Sequence, residues 1–284
     1  MKKFASFFAV FLFITLFAVA SEAGDRNIPV EVAQLTDSLK KQFAPDRRVA
    51  LLDVDYSFSD KNVMLRGVTT SAEAKNVLLK ELARKGYAVM DCLELLPDVK
   101  GLEGKTCGII NVSVANMRVA PDFSSEMMTQ SLMGMPVRVL QRDGWVRIQT
   151  PDNYIAWVHR VGVHPVTEEE MAAWNKAEKI VVTAHYGFVY SEPNQTSQTV
   201  SDVVAGNRLK WEGSKGAFYK VTYPDGRRGY ISKSIAMPEK KWRSGLQQDA
   251  AGIIRDRTEG VERHDHAGEA EHGGDGDCRR AQSG

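Results

Sequence analysis

The sequence predicts an α+β protein in which a small α/β domain is followed by two small all-β barrels and a disordered tail. Three observations lead to this prediction. Helical and strand-like hydrophobic patterns alternate before residue 98, short strand patterns separated by turn residues follow, and one stretch of the all-β part occurs twice. The 284-residue chain is long enough for two or three such domains.

The first residues predict export. Lys2 and Lys3 precede an apolar run over residues 4–20, and small residues ending with Ala23 follow at the spacing of a cleavage site. We therefore assign residues 1–23 to a signal peptide and expect a periplasmic or secreted protein without a membrane span after cleavage. The alternative is a transmembrane anchor, but the run is near the lower length limit for a membrane-crossing helix.

Charge and composition argue against several functions. The chain carries 37 basic and 36 acidic residues, so its net charge of +1 gives no electrostatic reason to expect nucleic-acid binding. Its three cysteines have no regular spacing and predict no disulfide framework, although Cys92 and Cys107 could pair. No group of residues predicts a bound cofactor.

Residues 28–98 predict the order helix, strand, strand, helix, strand. Apolar residues at helical spacing mark the first helix: Val32, Leu35, Leu39 and Phe43. Strand-like runs at 48–58 and 62–70 form a hairpin, Ser71 caps the second helix, and 87–97 is a further strand. This order resembles the small BON-like domain of bacterial envelope proteins, which implies a structural or docking role.

A repeat follows a connector over residues 99–110. With a shift of 73 positions, residues 145–158 align with 218–231, so that Trp145 falls on Phe218 and Trp157 on Tyr230. This period is longer than that of solenoid repeats, and it predicts two tandem domains. Their expected ranges, with a helical spacer that begins at a Thr167–Glu170 capping box, are 110–166, 167–179 (spacer) and 180–238.

The alternation of apolar and polar residues predicts antiparallel strands in each copy. Asp143-Gly144 and Asp225-Gly226 are hairpin signals. Four residues of the first copy are expected to point alternately into the barrel or onto its aromatic outer face: Trp145, Ile148, Ile155 and Trp157.

The first copy resembles a bacterial SH3 domain. The matching pieces are N-M-R-x-x-P from Asn116, the glycine Gly134, the G-W pair at Gly144 and P-D-x-Y-x-x-W-V from Pro151. The second copy is more divergent. It keeps the triplets at 224–226 and 229–231, but has Phe188-Val189-Tyr190 where the first copy has Met117-Arg118.

Together these parts and the segment 240–255 resemble the front half of exported NlpC-type cysteine peptidases of the dipeptidyl-peptidase VI kind. Enzymes of that family cut cell-wall peptides between D-glutamate and a diamino acid. The resemblance covers roughly residues 1–255. It implies peptidoglycan or muropeptides as the partner.

The family also has a catalytic domain, with a nucleophilic cysteine in a D-C-S-G setting and a histidine base. Asp277-Cys278 matches the first two positions, but Arg279-Arg280 follow. We therefore expect the catalytic domain to be missing, the chain not to be an enzyme, and residues 239–284 to be a linker and disordered tail. A reading frame lost near residue 255 would explain the altered composition.

The tail offers an alternative, a zinc site, because histidine and cysteine are good zinc ligands. Its candidate ligands are His264, His266, His272 and Cys278. Against this, the tail has almost no apolar residues to hold ligands in place, and the spacing fits no common zinc site. The prediction is therefore that the chain has no metal site.

Glu126, Tyr154 and Trp157 are the candidate ligand-binding residues. In the resembled family, acidic and tyrosine side chains of the first SH3 domain help to recognise the free amine of the peptide. Glu126 and Tyr154 match by position in the motif, and a carboxylate with an aromatic ring suits an ammonium group. The alternative is that both aromatics are packing residues and Glu126 is only solvated.

Two functions are therefore expected to compete. The first is an exported peptidoglycan-recognition region without its catalytic domain. The second is a non-enzymatic periplasmic adaptor that binds a protein partner through its SH3 domains. Only the first predicts that the protein sediments with purified peptidoglycan.

Overall fold

The structure, a computed structural model, describes residues 29–245. The predicted signal peptide and most of the predicted tail lie outside these residues. The described chain is mostly β and forms two compact units. The first runs to Lys176 and also includes Tyr223–Gly226, and the second contains the other residues from Ala177 onward. Among the described residues, no helix has the length and hydrophobicity needed to span a bilayer.

The first unit begins with an α/β domain. Its elements are α1 (Val30–Phe43), β1 (Leu52–Ser59), β2 (Asn62–Thr69), α2 (Ala72–Arg84) and β3 (Ala88–Leu95). β1 pairs with β2 antiparallel and β2 with β3 parallel. The element order is the one that the hydrophobic pattern predicts, and the likeness to BON domains stays a prediction.

Local sequence explains these elements. The Ser71 side chain accepts a hydrogen bond from the Ala74 N–H (3.1 Å) and caps α2. Apolar residues of both helices and of alternate strand positions form one buried core, which includes Val32, Leu39, Leu65, Leu78, Leu82 and Leu93. The domain therefore buries one face of its sheet under its helices.

The first barrel follows in the same unit. Its strands are β4 (Cys107–Ile110), β5 (Val114–Arg118), β6 (Met127–Leu132), β7 (Pro136–Asp143), β8 (Trp145–Gln149), β9 (Ile155–His159) and β10 (Val163–Val166). They form one sheet in the order β10-β4-β7-β8-β9-β5-β6. The sheet starts at Cys107, so it takes in the last residues of the predicted connector.

The spacer contains α3 (Glu168–Lys176). The Thr167 N–H donates to the Glu170 carboxylate (2.9 Å), and the Glu170 N–H donates to the Thr167 hydroxyl (3.2 Å), as a capping box requires. Trp174 of this helix is buried against Ile109 and Val166 of the first barrel. The spacer is therefore packed onto the barrel that precedes it.

The second unit contains the second barrel. Its strands are β11 (Lys179–Val182), β12 (Tyr186–Tyr190), β13 (Thr199–Val204), β14 (Arg208–Lys215), β15 (Phe218–Thr222), β16 (Arg228–Ser232) and β17 (Ala236–Pro238), and residues 239–245 are helical. The sheet order is β13-β12-β16-β15-β14-β11-β17. When the order of the first sheet is reversed, each of its strands corresponds to one strand of the second sheet, from β6 with β13 to β10 with β17. The sequence repeat therefore corresponds to a repeated fold.

The two barrels also share their irregularities. The pairing of β7 with β8 shifts between Val139 and Gln141, and the pairing of β14 with β15 shifts between Trp211 and Gly213. Such bulges insert one extra residue and turn the following side chains relative to the sheet. In the first barrel the inserted residue is Leu140, which is 1% exposed.

Leu140 joins the first barrel to the α/β domain. It lies in a buried cluster with Ile155 of the barrel and with Leu51 and Leu96 of the α/β domain. Two backbone hydrogen bonds reinforce the contact, from the Ile155 N–H to the Arg48 carbonyl (2.6 Å) and from the Asp98 N–H to the Leu140 carbonyl (2.9 Å). The α/β domain is therefore docked on the outside of the first barrel.

Candidate functional site

The outer face of β8 and β9 is the candidate binding surface of the first barrel. Val146 and Ile148 of β8, with Val158 of β9, belong to the barrel core. The residues between them point outward because strand side chains alternate. They form the directly paired couples Trp145–His159, Arg147–Trp157 and Gln149–Ile155, which we call the outer face.

An aromatic cluster lies at one end of the outer face. The ring centroid of Phe123 is 4.8 Å from that of Trp145 and 5.1 Å from that of His159, and the Trp145 and His159 centroids are 5.3 Å apart. Phe123 nevertheless remains 66% exposed. Trp145, one of the four residues expected to point into the barrel or onto its outer face, lies on that face and supports an accessible ring surface.

Glu126 ends the loop that carries Phe123. The Arg118 guanidinium donates to the Ser125 carbonyl (2.5 Å), the Ala120 N–H donates to the Ser125 hydroxyl (2.9 Å), and the Val119 N–H donates to the Glu126 carbonyl (3.0 Å). The Glu126 side chain is exposed, immediately before β6. The loop therefore presents this carboxylate from a hydrogen-bonded frame.

The same loop contains a second local hydrogen-bonded turn. Asp122 accepts hydrogen bonds from the N–H (2.6 Å) and the hydroxyl (2.8 Å) of Ser124. These bonds hold the pKa of Asp122 below its usual value. Asp122 thus stays ionised near neutral pH and adds negative charge to the Glu126 loop.

Trp157 lies in the middle of the sheet, two strands from the Glu126 loop. It is paired with Arg118 of β5, which is paired with Met127 of β6, the residue after Glu126. Its ring supports the Arg147 guanidinium, whose central carbon lies 5.1 Å from the ring centroid. The structure therefore places Trp157 on the same face of the sheet as Met127, the residue that follows Glu126.

Tyr154 lies towards the α/β domain instead. The Arg48 guanidinium carbon is 5.9 Å from its ring centroid. Arg48 is held by Asp46, and its hydrogen bonds lower the pKa of that carboxyl to about 2. Tyr154 is half-buried and three residues before Trp157, so its ring contributes to the junction between the two domains.

Two residues of this surface, Phe123 and His159, were not predicted from the sequence. His159 follows Trp157 by two positions, so strand alternation alone places it on the same face. Phe123 belongs to an irregular loop, where no periodicity predicts the direction of a side chain. The approach of Phe123 to Trp145 and His159 is therefore information that only the structure supplies.

The second barrel carries a different outer face. Tyr186, Phe188 and Tyr190 follow one another at alternate positions of β12, with ring centroids 5.1 and 6.4 Å apart. Lys220 and Tyr230 are paired in the positions that Arg147 and Trp157 occupy in the first barrel. The loop over 191–198, unlike the Phe123 loop, contains no aromatic residue.

The described residues contain an open groove that shares only Gln149 with the outer face. It has a volume of about 330 Å³, and its lining includes Cys107, Arg138, Thr150 and Met171 but none of the three predicted ligand-binding residues. Cys92 and Cys107 are free thiols, and burial raises the pKa of the Cys107 thiol. Within residues 29–245 no group of histidine, cysteine and acidic residues could hold a metal ion.

Comparison with known protein families decides the nature of the barrels. Residues 117–161 match the family described as the bacterial dipeptidyl-peptidase SH3 domain, and residues 185–235 match the bacterial SH3 domain. The chain contains two bacterial SH3 domains. The first and second barrels are accordingly its first and second SH3 domains.

Solved structures of NlpC/P60 proteins are similar to part of the chain. An NlpC/P60 family protein from Bacillus cereus shares 20% identity over 46% of this chain and 55% of its own, with a TM-score of 0.39. An NlpC/P60 endopeptidase from Photobacterium damselae subsp. piscicida shares 15% identity over 50% of this chain and 35% of its own, with a TM-score of 0.37. The chain thus spans between about a third and about half of their lengths. No curated protein matches it significantly.

Proposed function

We propose that the chain is the exported cell-wall recognition region of an NlpC-type protein, and that its first SH3 domain binds the free amino terminus of a peptidoglycan stem peptide. One observation carries the proposal. The exposed Glu126 carboxylate and the accessible Phe123 ring belong to one loop, which is fixed by hydrogen bonds and rests on Trp145 and His159. The match of residues 117–161 to a dipeptidyl-peptidase SH3 family supports the same ligand class.

The chemistry of this loop suits a primary ammonium group. A carboxylate forms charge-assisted hydrogen bonds with an ammonium, and a nearby ring face attracts the same cation. Because the loop is already held by its own hydrogen bonds, binding requires little further ordering. An exposed ion pair contributes only about 1 kcal/mol, so the ring surface has to supply part of the affinity.

Replacing Glu126 tests this proposal. We expect Glu126→Gln to weaken binding of an L-Ala-γ-D-Glu-diamino-acid peptide about fivefold, which corresponds to about 1 kcal/mol. Isothermal titration of the full chain measures the effect. The loss arises because the amide keeps the size of the side chain but removes the charge that pairs with the ammonium.

Two controls sharpen this titration. Glu192 is an exposed glutamate in the corresponding loop of the second SH3 domain, and Glu192→Gln should leave the affinity unchanged. Acetylating the peptide's amino terminus should reduce binding to the wild-type chain as much as Glu126→Gln does. Equal affinity of wild type and Glu126→Gln for the free-amine peptide would refute the assigned role of Glu126.

An adaptor that binds a protein partner is the second candidate. Three exposed apolar residues favour it, because Val119, Phe123 and Met127 are 49%, 66% and 49% exposed around the same loop. A protein ligand would use this apolar surface and tolerate Glu126→Gln. A stoichiometric protein complex without peptide or wall binding would support the adaptor instead.

We further propose that the chain binds such peptides without cleaving them. A hydrolysis assay on the same peptide tests this directly. Cleavage that disappears in Cys278→Ala would show that the chain is a peptidase and would contradict the proposal.

A further inference from the structure

Arg147 has fewer partners than a half-buried guanidinium needs. Its Nε is buried and has no hydrogen-bond partner among the described residues. Its ion pair with Asp53 of the α/β domain is long, with Nη2 3.9 Å from Oδ2, and only 14% of its side chain is exposed. An arginine has five N–H donors, so this one retains unused capacity for an acceptor.

The charges around Arg147 are unbalanced. Burial lowers the pKa of Arg147 below its usual value, the attractive charge of Asp53 opposes this shift, and the repulsive charge of the exposed Arg47 adds to it. Of the nearby arginines, Arg118 donates to the Ser125 carbonyl and Arg48 pairs with Asp46. The ion pair of Arg147 with Asp53 is long and Arg47 adds a second positive charge nearby, which leaves a place for a second anion beside Arg147.

We propose that Arg147, assisted by Arg47, binds a carboxylate of the peptide whose amine Glu126 recognises. This inference rests on the proposed function. The carboxylate is the α-carboxylate of the γ-linked D-glutamate, which is free because the side chain carries the peptide bond. Arginine suits this group because its planar fork can donate two parallel hydrogen bonds to a carboxylate.

The spacing of the two charges fits a short peptide. Arg147, Trp157, Arg118 and Met127 lie directly opposite one another on four neighbouring strands. Three strand spacings separate Arg147 from the Glu126 loop by roughly 14 Å between backbones, and the long side chains shorten the gap between the charges. An extended chain covers about 3.3–3.6 Å per residue, so the first two residues of a stem peptide cover about 7 Å and the arginine and glutamate side chains have to cover the rest.

The test uses two peptides that differ in one group. L-Ala-γ-D-Glu-diamino-acid peptide carries the free α-carboxylate, and the matched peptide has it converted to an amide. We expect the wild-type chain to bind the acid about tenfold more tightly than the amide. We expect Arg147→Gln to bind both peptides within about twofold of each other, and Arg147→Lys to discriminate weakly because lysine lacks the fork.

Lys220→Gln is the matched control, because Lys220 holds the Arg147 position in the second SH3 domain. The Lys220→Gln variant should still bind the acid peptide about tenfold more tightly than the amide peptide. If the wild-type chain binds the acid and the amide equally, the carboxylate site is wrong while the proposed function stands. If neither peptide binds, the proposed function fails. If discrimination persists in Arg147→Gln, another residue binds the carboxylate.

Discussion

Leu140→Glu is expected to lower the free energy of unfolding of the first unit by about 3–5 kcal/mol. Removing a buried leucine side chain from a packed site costs about 2–5 kcal/mol, and a glutamate there adds a charge without a partner. Leu140 is 1% exposed in the cluster that docks the α/β domain onto the first SH3 domain. The substitution should therefore separate the two domains before either unfolds.

Chemical denaturation monitored by circular dichroism measures this change, and limited proteolysis across residues 96–106 reports the separation. Leu140→Met is the control, since a swap that conserves volume costs less than about 1.5 kcal/mol. The second SH3 domain supplies a natural comparison, because its inserted bulge residue is Glu212, which is exposed and paired with Lys210 (2.9 Å). An unchanged denaturation midpoint in Leu140→Glu would show that this cluster does not hold the domains together.

Gly67→Ala is expected to destabilise the α/β domain by about 3–5 kcal/mol. Gly67 has a φ of +117°, which side-chain-bearing residues rarely adopt, and a Cβ there would lie 2.1 Å from the Asp53 carbonyl oxygen. Strain and overpacking cost about 1–3 kcal/mol each. Since the obstructing atom belongs to the backbone of the neighbouring strand, the pairing of β1 with β2 has to shift.

Gly86→Ala separates the two causes. Gly86 has a similar positive φ of +83°, but the nearest atom to its added Cβ is the flexible Lys61 Nζ at 3.7 Å. This control should cost about 1 kcal/mol, from backbone strain alone. Thermal unfolding of the two variants side by side measures the difference, and equal melting temperatures would show that the contact with Asp53 carries no penalty.

The regular parts of the fold could be predicted because local patterns determine them. Strand alternation in 145–158 places Ile148 in the core and Trp157 outside, and the repeat predicts a second domain of the same kind. Ser71 and the Thr167–Glu170 box signal their helix starts because capping depends on neighbouring residues. Such features need no knowledge of distant contacts.

The parts that long-range packing determines could not be predicted. The direction of Leu140 depends on a bulge, and a one-residue shift in a strand moves a side chain to the other face. Leu140 belongs to the cluster that docks the α/β domain, and Tyr154 lies beside Arg48 at the same junction. Arg147 and its ion-pair partner Asp53 are almost a hundred residues apart in the sequence, so no spacing rule could have predicted their contact.

Glu126 shows the same limit at the candidate site. The position of Glu126 within the motif is enough to predict it as a binding residue. The aromatic surface of the same loop could not be predicted in this way. That surface forms only when the Phe123 loop folds back over Trp145 and His159. The site therefore combines a predicted charge with an aromatic neighbour that tertiary structure supplies.

The central claim is that the first SH3 domain recognises released cell-wall stem peptides through their free amine. In intact peptidoglycan this amine is amide-linked to the glycan, so titration of the full chain with a released free-amine stem peptide, beside the same peptide N-acetylated, tests the claim most directly. We predict saturable binding of the free-amine peptide and weaker binding of the N-acetylated peptide. No saturable binding of the free-amine peptide, or equal binding of both peptides, would contradict the claim.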